Sequence, residues 1–254
     1  MSFPEPPPFP PPPPPVPQPK LVQWSVLDVV LAVLAGLATG FVLALVVGAA
    51  LRDAVNLSGG VGLLLGYVLL YGSVALMLWA LVLKRRRVSR QDVGLGGVRP
   101  GPIALMIPLT FGVLIMNYIV AVLTTVIFGR VPTAEDQLGV RLQTLTAFDF
   151  VCLFIVVVII APILEEIVFR GLLYRAIRAR IGVASATVIT ALAFSAMHFQ
   201  PLLLGVLFAF GVVLALVAEW SDSLYPPIVL HALNNSVAIL LPFVVPEGLV
   251  MFGS

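Results

Sequence analysis

The stretch "FDFVCLFIVVVIIAPILEEIVFR", residues 148–170, decides the fold. Between Asp149 and Glu165 it carries no charge. Crossing the hydrocarbon core of a bilayer takes about 20 apolar residues, so a membrane helix is predicted over 148–169. The run then closes on two adjacent carboxylates, Glu165 and Glu166, and a guanidinium, Arg170. Ionisable groups at membrane depth are costly and mark a bundle interior, a partner or a water-filled cavity. One segment therefore points both to a transmembrane fold and to a site.

The rest of the chain agrees. It has 254 residues, 60% hydrophobic and 10% charged, with a mean hydropathy of +1.12. A soluble domain carries roughly 25% charged residues. The expected fold is all-α, a polytopic bundle of about seven transmembrane helices over 25–51, 60–83, 103–129, 148–169, 183–199, 202–220 and 226–245, the fifth being short. Ahead of it, residues 1–20 form a proline-rich tail, "PEPPPFPPPPPPVPQP", expected to be disordered or polyproline II because proline lacks the N–H donor. The domain division is thus tail 1–20 and membrane domain 21–254, with no cleavable signal peptide expected. The connection "GRVPTAEDQLGVRLQTLTAFD" reads as a loop or an interfacial helix. A net charge of +2 without a basic, aromatic-interleaved stripe argues against nucleic acid. The single cysteine, Cys152, excludes an intramolecular disulfide and a cysteine metal cluster.

Lysine and arginine in short loops set orientation. "KRRR" at 84–87 with Arg90 and Arg99 follows the second span, and Arg175, Arg178 and Arg180 follow the fourth. Both are expected to be cytoplasmic, with the N-terminus inside. Asp28 and Asp149 open the first and fourth spans, where the helix dipole favours an acid. Glu219 and Asp222 are expected to be solvated loop charges.

Six polar residues at membrane depth remain. Glu166 and Arg170 are four apart, acid first, the favourable order for a helical ion pair, and an unpaired buried arginine is expensive. Glu165 points about 100° away on the same helix and is left without a local cation, the setting in which a carboxylate serves as a general base. Both histidines of the chain lie in or beside spans. His198 ends the fifth, with Phe194 four residues earlier to pack beneath its ring. His231 and Asn235 share one face of the seventh, a helix that Pro226 and Pro227 can start. A free acid, two imidazoles and an amide compose a water-activating hydrolytic site inside a bilayer.

These segments read as EExxxR in "EEIVFR", FxxxH in "FSAMH" and HxxxN in "HALNN". In this order on successive membrane helices, over about residues 145–240, they resemble the CPBP family of intramembrane proteases, which includes CAAX prenyl endopeptidases and bacteriocin-processing or self-immunity proteins. The resemblance implies an intramembrane endopeptidase acting near the cytoplasmic face. Glu165 with His198 would activate water, and His231 with Asn235 would stabilise the oxyanion. Glu166, Arg170 and Phe194 would support them. It also leaves open a metal site, a Zn²⁺ held by Glu165, His198 and His231 with one position for water. No HExxH zinc motif is present. The implied partners are a peptide or protein substrate, including a lipidated one, the bilayer, and a cytoplasmic partner for the proline-rich tail. A non-catalytic scaffold or immunity-type binding protein is the alternative, with the same polar cluster tying helices together.

Overall fold

The computed structural model describes residues 22–51, 60–97, 100–138 and 141–244. The expectations placed on the proline-rich tail and on Arg99 lie outside these residues. The described chain is all-α, with no strand among its residues. Its helices are α1 (Val26–Leu51), α2 (Val61–Lys84), α3 (Pro100–Phe128), α4 (Ala134–Leu138), α5 (Ala147–Ile181), α6 (Val183–Ala196), α7 (Pro201–Ser221) and α8 (Tyr225–Val244). Six of them are long and apolar enough to cross a membrane, and α6, with 14 residues, is the short one expected. The protein is an integral, multi-pass membrane protein. The connection between α3 and α5 is neither pure loop nor one interfacial helix: it holds α4 and a single 3₁₀ turn at Leu142–Thr144.

The expected fourth span is the largest correction. Helix α5 does not stop at the charged cluster but runs 35 residues, about 52 Å at 1.5 Å per residue. Thr146 caps its start, accepting from the Asp149 amide at 3.2 Å while the Asp149 carboxylate accepts from the Thr146 amide at 3.3 Å. Gly182, at φ +84°, ends it in a backbone region that side chains rarely adopt. The helix passes the cluster because Glu166 and Arg170 neutralise each other within it. Two wider π-helical stretches, Ile155–Ile160 and Ile167–Tyr174, flank the glutamates. Such turns release carbonyls from the helical ladder, and neighbours take them up: Trp24 Nε1 donates to the Leu172 carbonyl at 3.0 Å, and Asn235 to that of Val157.

Helices α1 and α2 pack as a close pair through Gly36 and Gly40. A Cβ on Gly36 would lie 2.5 Å from the Val74 Cα, and one on Gly40 2.8 Å from the Leu70 Cα. Small residues four apart allow this approach where lipid offers no hydrophobic drive.

The basic segments gather at one end of the bundle. Arg86 pairs with Asp28 at 2.8 Å, where Asp28 also accepts from the Ser25 amide at the start of α1. The Leu224 amide donates to the Gly94 carbonyl at 2.9 Å, beside Arg175. Asp222 fits its expectation as a solvated charge, pairing with Arg175 at 3.1 Å while 83% exposed. Glu219 does not: it accepts from Arg178 at 2.6 Å and from the Tyr174 hydroxyl at 3.1 Å. The extension of α5 brings both donors to it.

Candidate active site

Helix α5 supplies the acids. Glu166 and Arg170 are fully buried and joined at 2.8 Å, as their spacing predicts. Arg170 also donates to the Gly211 carbonyl of α7 at 3.0 Å, and its guanidinium lies 4.7 Å from the Phe194 ring centre. The same Glu166 oxygen that takes Arg170 also lies 3.0 Å from His231 Nδ1. A carboxylate paired with arginine can only accept here, so His231 donates through Nδ1 and presents Nε2 to the other side.

That other side is Glu165. Its Oε2 lies 3.8 Å from His231 Nε2. Its Oε1 accepts from the Tyr71 hydroxyl of α2 at 3.1 Å. Arg170 thus pairs with Glu166 and not with Glu165, as expected, and Glu165 is anchored instead by a tyrosine. Sequence reasoning missed Tyr71, which lies 94 residues away in a span with no charge near it; its only signal was a hydroxyl set at membrane depth.

His198 falls in the turn just past α6 rather than in its last residues. Its Nδ1 lies 2.8 Å from the Phe194 carbonyl; a carbonyl accepts, so Nδ1 carries the proton and Nε2 its lone pair. Phe194 packs edge-on beneath this ring at 4.8 Å and also touches His231 at 5.7 Å. One phenyl thus fixes both imidazoles, and Phe210 closes on His231 from α7 at 5.3 Å. Asn235, on the same face of α8 as His231, donates to the Val157 carbonyl at 3.0 Å.

Glu165, His198, His231 and Asn235 line one cavity of about 250 Å³. Its other walls are mostly apolar side chains of α1, α2 and α5, among them Val33, Leu37, Leu70 and Val156. Tyr67 stacks on Tyr71 at 6.0 Å along the same wall. Among the described residues no three His, Cys, Asp or Glu side chains converge closely enough to share a metal ion. One oxygen of Glu166 and Nδ1 of His231 are committed to each other. The three residues that the motifs offered to a zinc ion, Glu165, His198 and His231, all line this cavity.

The cavity is close to the basic end. Gly171 packs against the Val93 carbonyl and Leu224 of that end, and Glu166 lies only about 8 Å from it along α5.

Residues 147–237 match the family described as type II CAAX prenyl endopeptidase Rce1-like. The chain is also 32% identical over 145 residues to the membrane-embedded CAAX protease MroQ of Staphylococcus aureus (strain USA300). That match spans 54% of this chain and 57% of the relative, so just over half of the curated protein is covered. No solved structure matches the chain. The family segment begins where α5 begins and ends just past Asn235, taking in every motif residue of the cavity. The EExxxR, FxxxH and HxxxN motifs all lie within the segment that is similar to this family.

Proposed function

We propose that the protein is an intramembrane endopeptidase of CAAX-protease type, hydrolysing a peptide bond close to the membrane face at the basic end of the bundle. The observation that carries this reading is the shared cavity: an acid, two imidazoles and a carboxamide from three separate stretches of chain meet around about 250 Å³. A water held between Glu165 and the Nε2 lone pair of His198 attacks the scissile carbonyl as Glu165 takes its proton. The carbonyl oxygen becomes an oxyanion. Asn235 and His231 donate to it, and such preorganised donors are worth most where water is excluded. His231 faces it through Nε2, with its Nδ1 held by Glu166. As the tetrahedral intermediate collapses, the C–N bond breaks and the proton on Glu165 passes to the leaving amine. Substrates are peptides or proteins presented at the bilayer, lipidated ones included.

Cleavage of a membrane-presented peptide panel by protein reconstituted in liposomes tests the proposal. Glu165→Ala, His198→Ala and His231→Ala are expected to lose cleavage while remaining inserted and folded. Full cleavage by all three overturns it. The scaffold alternative draws on the complete burial of the Glu166–Arg170 pair; it predicts that these variants lose thermal stability and that no variant or parent cleaves.

A further inference from the structure

We propose that Asn117 and Asn234 are positioning residues that hold Asn235 with one N–H aimed into the cavity, and that Pro162 sets the direction of the chain they form. The inference rests on the hydrolytic reading above. Asn117 of α3 donates through Nδ2 to Asn234 Oδ1 at 2.9 Å. Asn234 donates to Asn235 Oδ1 at 3.4 Å, a long contact between neighbours on α8. Asn235 donates to the Val157 carbonyl at 3.0 Å.

The polarity of this chain is forced from one end. A side-chain amide can be turned over, exchanging its oxygen and nitrogen. A backbone carbonyl cannot, and it only accepts. Asn235 must therefore turn its NH₂ to Val157, which leaves its oxygen for Asn234. Asn234 must in turn donate to that oxygen and accept from Asn117. The cost shows at the far end, where Asn117 Oδ1 is buried without a hydrogen-bond partner. Turning Asn117 over would set two amide oxygens against each other. Its orphaned oxygen is the signature of an enforced direction.

The carbonyl that anchors the chain is available because of a proline. In this stretch the Ala161 amide bonds back five residues to Val156. The next amide in that pattern would take Val157, but residue 162 is proline and has no N–H. Asn235 fills the place. Its first N–H is spent on Val157 and its oxygen on Asn234, so its second N–H is the group left for the cavity that Asn235 lines. This makes Asn235 a donor to an oxyanion rather than an acceptor or a ligand through oxygen.

Steady-state cleavage by the full-length protein in liposomes tests the chain, with kcat and KM separated and thermal midpoints measured alongside. Losing an oxyanion donor outright costs ~10²–10³ in kcat, and a misaimed one should cost less, about tenfold. Asn234→Leu is expected to lower kcat about tenfold with KM unchanged, and Asn117→Leu to lower it less. Pro162→Ala is the sharpest arm. It supplies a rival N–H for Val157 in a helix that alanine suits better than proline, so kcat falls while the thermal midpoint holds or rises. Unchanged kcat in all three, a rise in KM alone, or kcat losses that follow stability losses overturn the proposal. If the parent cleaves nothing, or Glu165→Ala cleaves as well as the parent, the hydrolytic reading fails and the positioning role falls with it.

Discussion

At the scale of single residues, Glu166 is the hinge of the site. One of its oxygens serves both Arg170 and His231, so the ion pair that looks structural also aims an imidazole. Breaking a buried pair by removing one partner costs about 3–5 kcal/mol, whereas replacing both by apolar groups can be neutral. Arg170→Met alone should therefore lower the thermal midpoint in detergent more than the double change Glu166→Leu with Arg170→Met. A double variant less stable than the single one contradicts this. Tyr71 supplies a second prediction. A hydrogen bond to a charged group contributes about 1.5–3 kcal/mol, so Tyr71→Phe should slow cleavage on the order of tenfold without loss of insertion, as read from initial rates. The Glu166–Arg170 pair, the Phe194 ring beneath His198 and the proline start of α8 were legible in the sequence, since each is set by residues within about four positions of one another. Tyr71, Asn117 and the Glu219 cluster were not. Their partners lie 94, 117 and 41 residues away, and nothing local in the chain records which helices will meet.

At the scale of elements, length and periodicity mark where helices lie but not where a helix with charges inside it ends. The acids and the arginine of α5 invite a stop at residue 169. Internal neutralisation and two π-helical stretches carry the helix on to Ile181. The glycines of α1 and α2 look equivalent in the sequence, yet only one set makes the contact. Gly36 and Gly40 of α1 meet α2 backbone, while nothing lies within 4 Å of a Cβ placed on Gly66 or Gly72. Gly36→Leu should consequently separate the pair, displace Tyr71 from Glu165, and lower both thermal stability and cleavage. Gly66→Leu should change neither. Equal effects on thermal unfolding in detergent contradict the packing described.

At the scale of the whole molecule, the bundle has a basic end, built from the segment after α2, the far half of α5 and the turn between α7 and α8, and a cavity about one and a half helical turns inside it. Loop charges gave the shared sidedness of the two basic segments in the sequence; the distance from that end to the acids needed the packing of Gly171 on Val93 and Leu224. In a Cys152→Ala background, Arg90→Cys and Asp222→Cys should label from the same side of the membrane and Thr133→Cys from the opposite one. Labelling of Arg90→Cys and Asp222→Cys from opposite sides contradicts the arrangement. The central claim is that Glu165 acts as the base in a preformed cavity, and Glu165→Gln tests it most directly, because glutamine keeps the size and the Tyr71 contact but cannot take a proton from water. Cleavage of a membrane-presented peptide by reconstituted Glu165→Gln protein should fall to background at an unchanged thermal midpoint; cleavage near the parent rate would contradict the account.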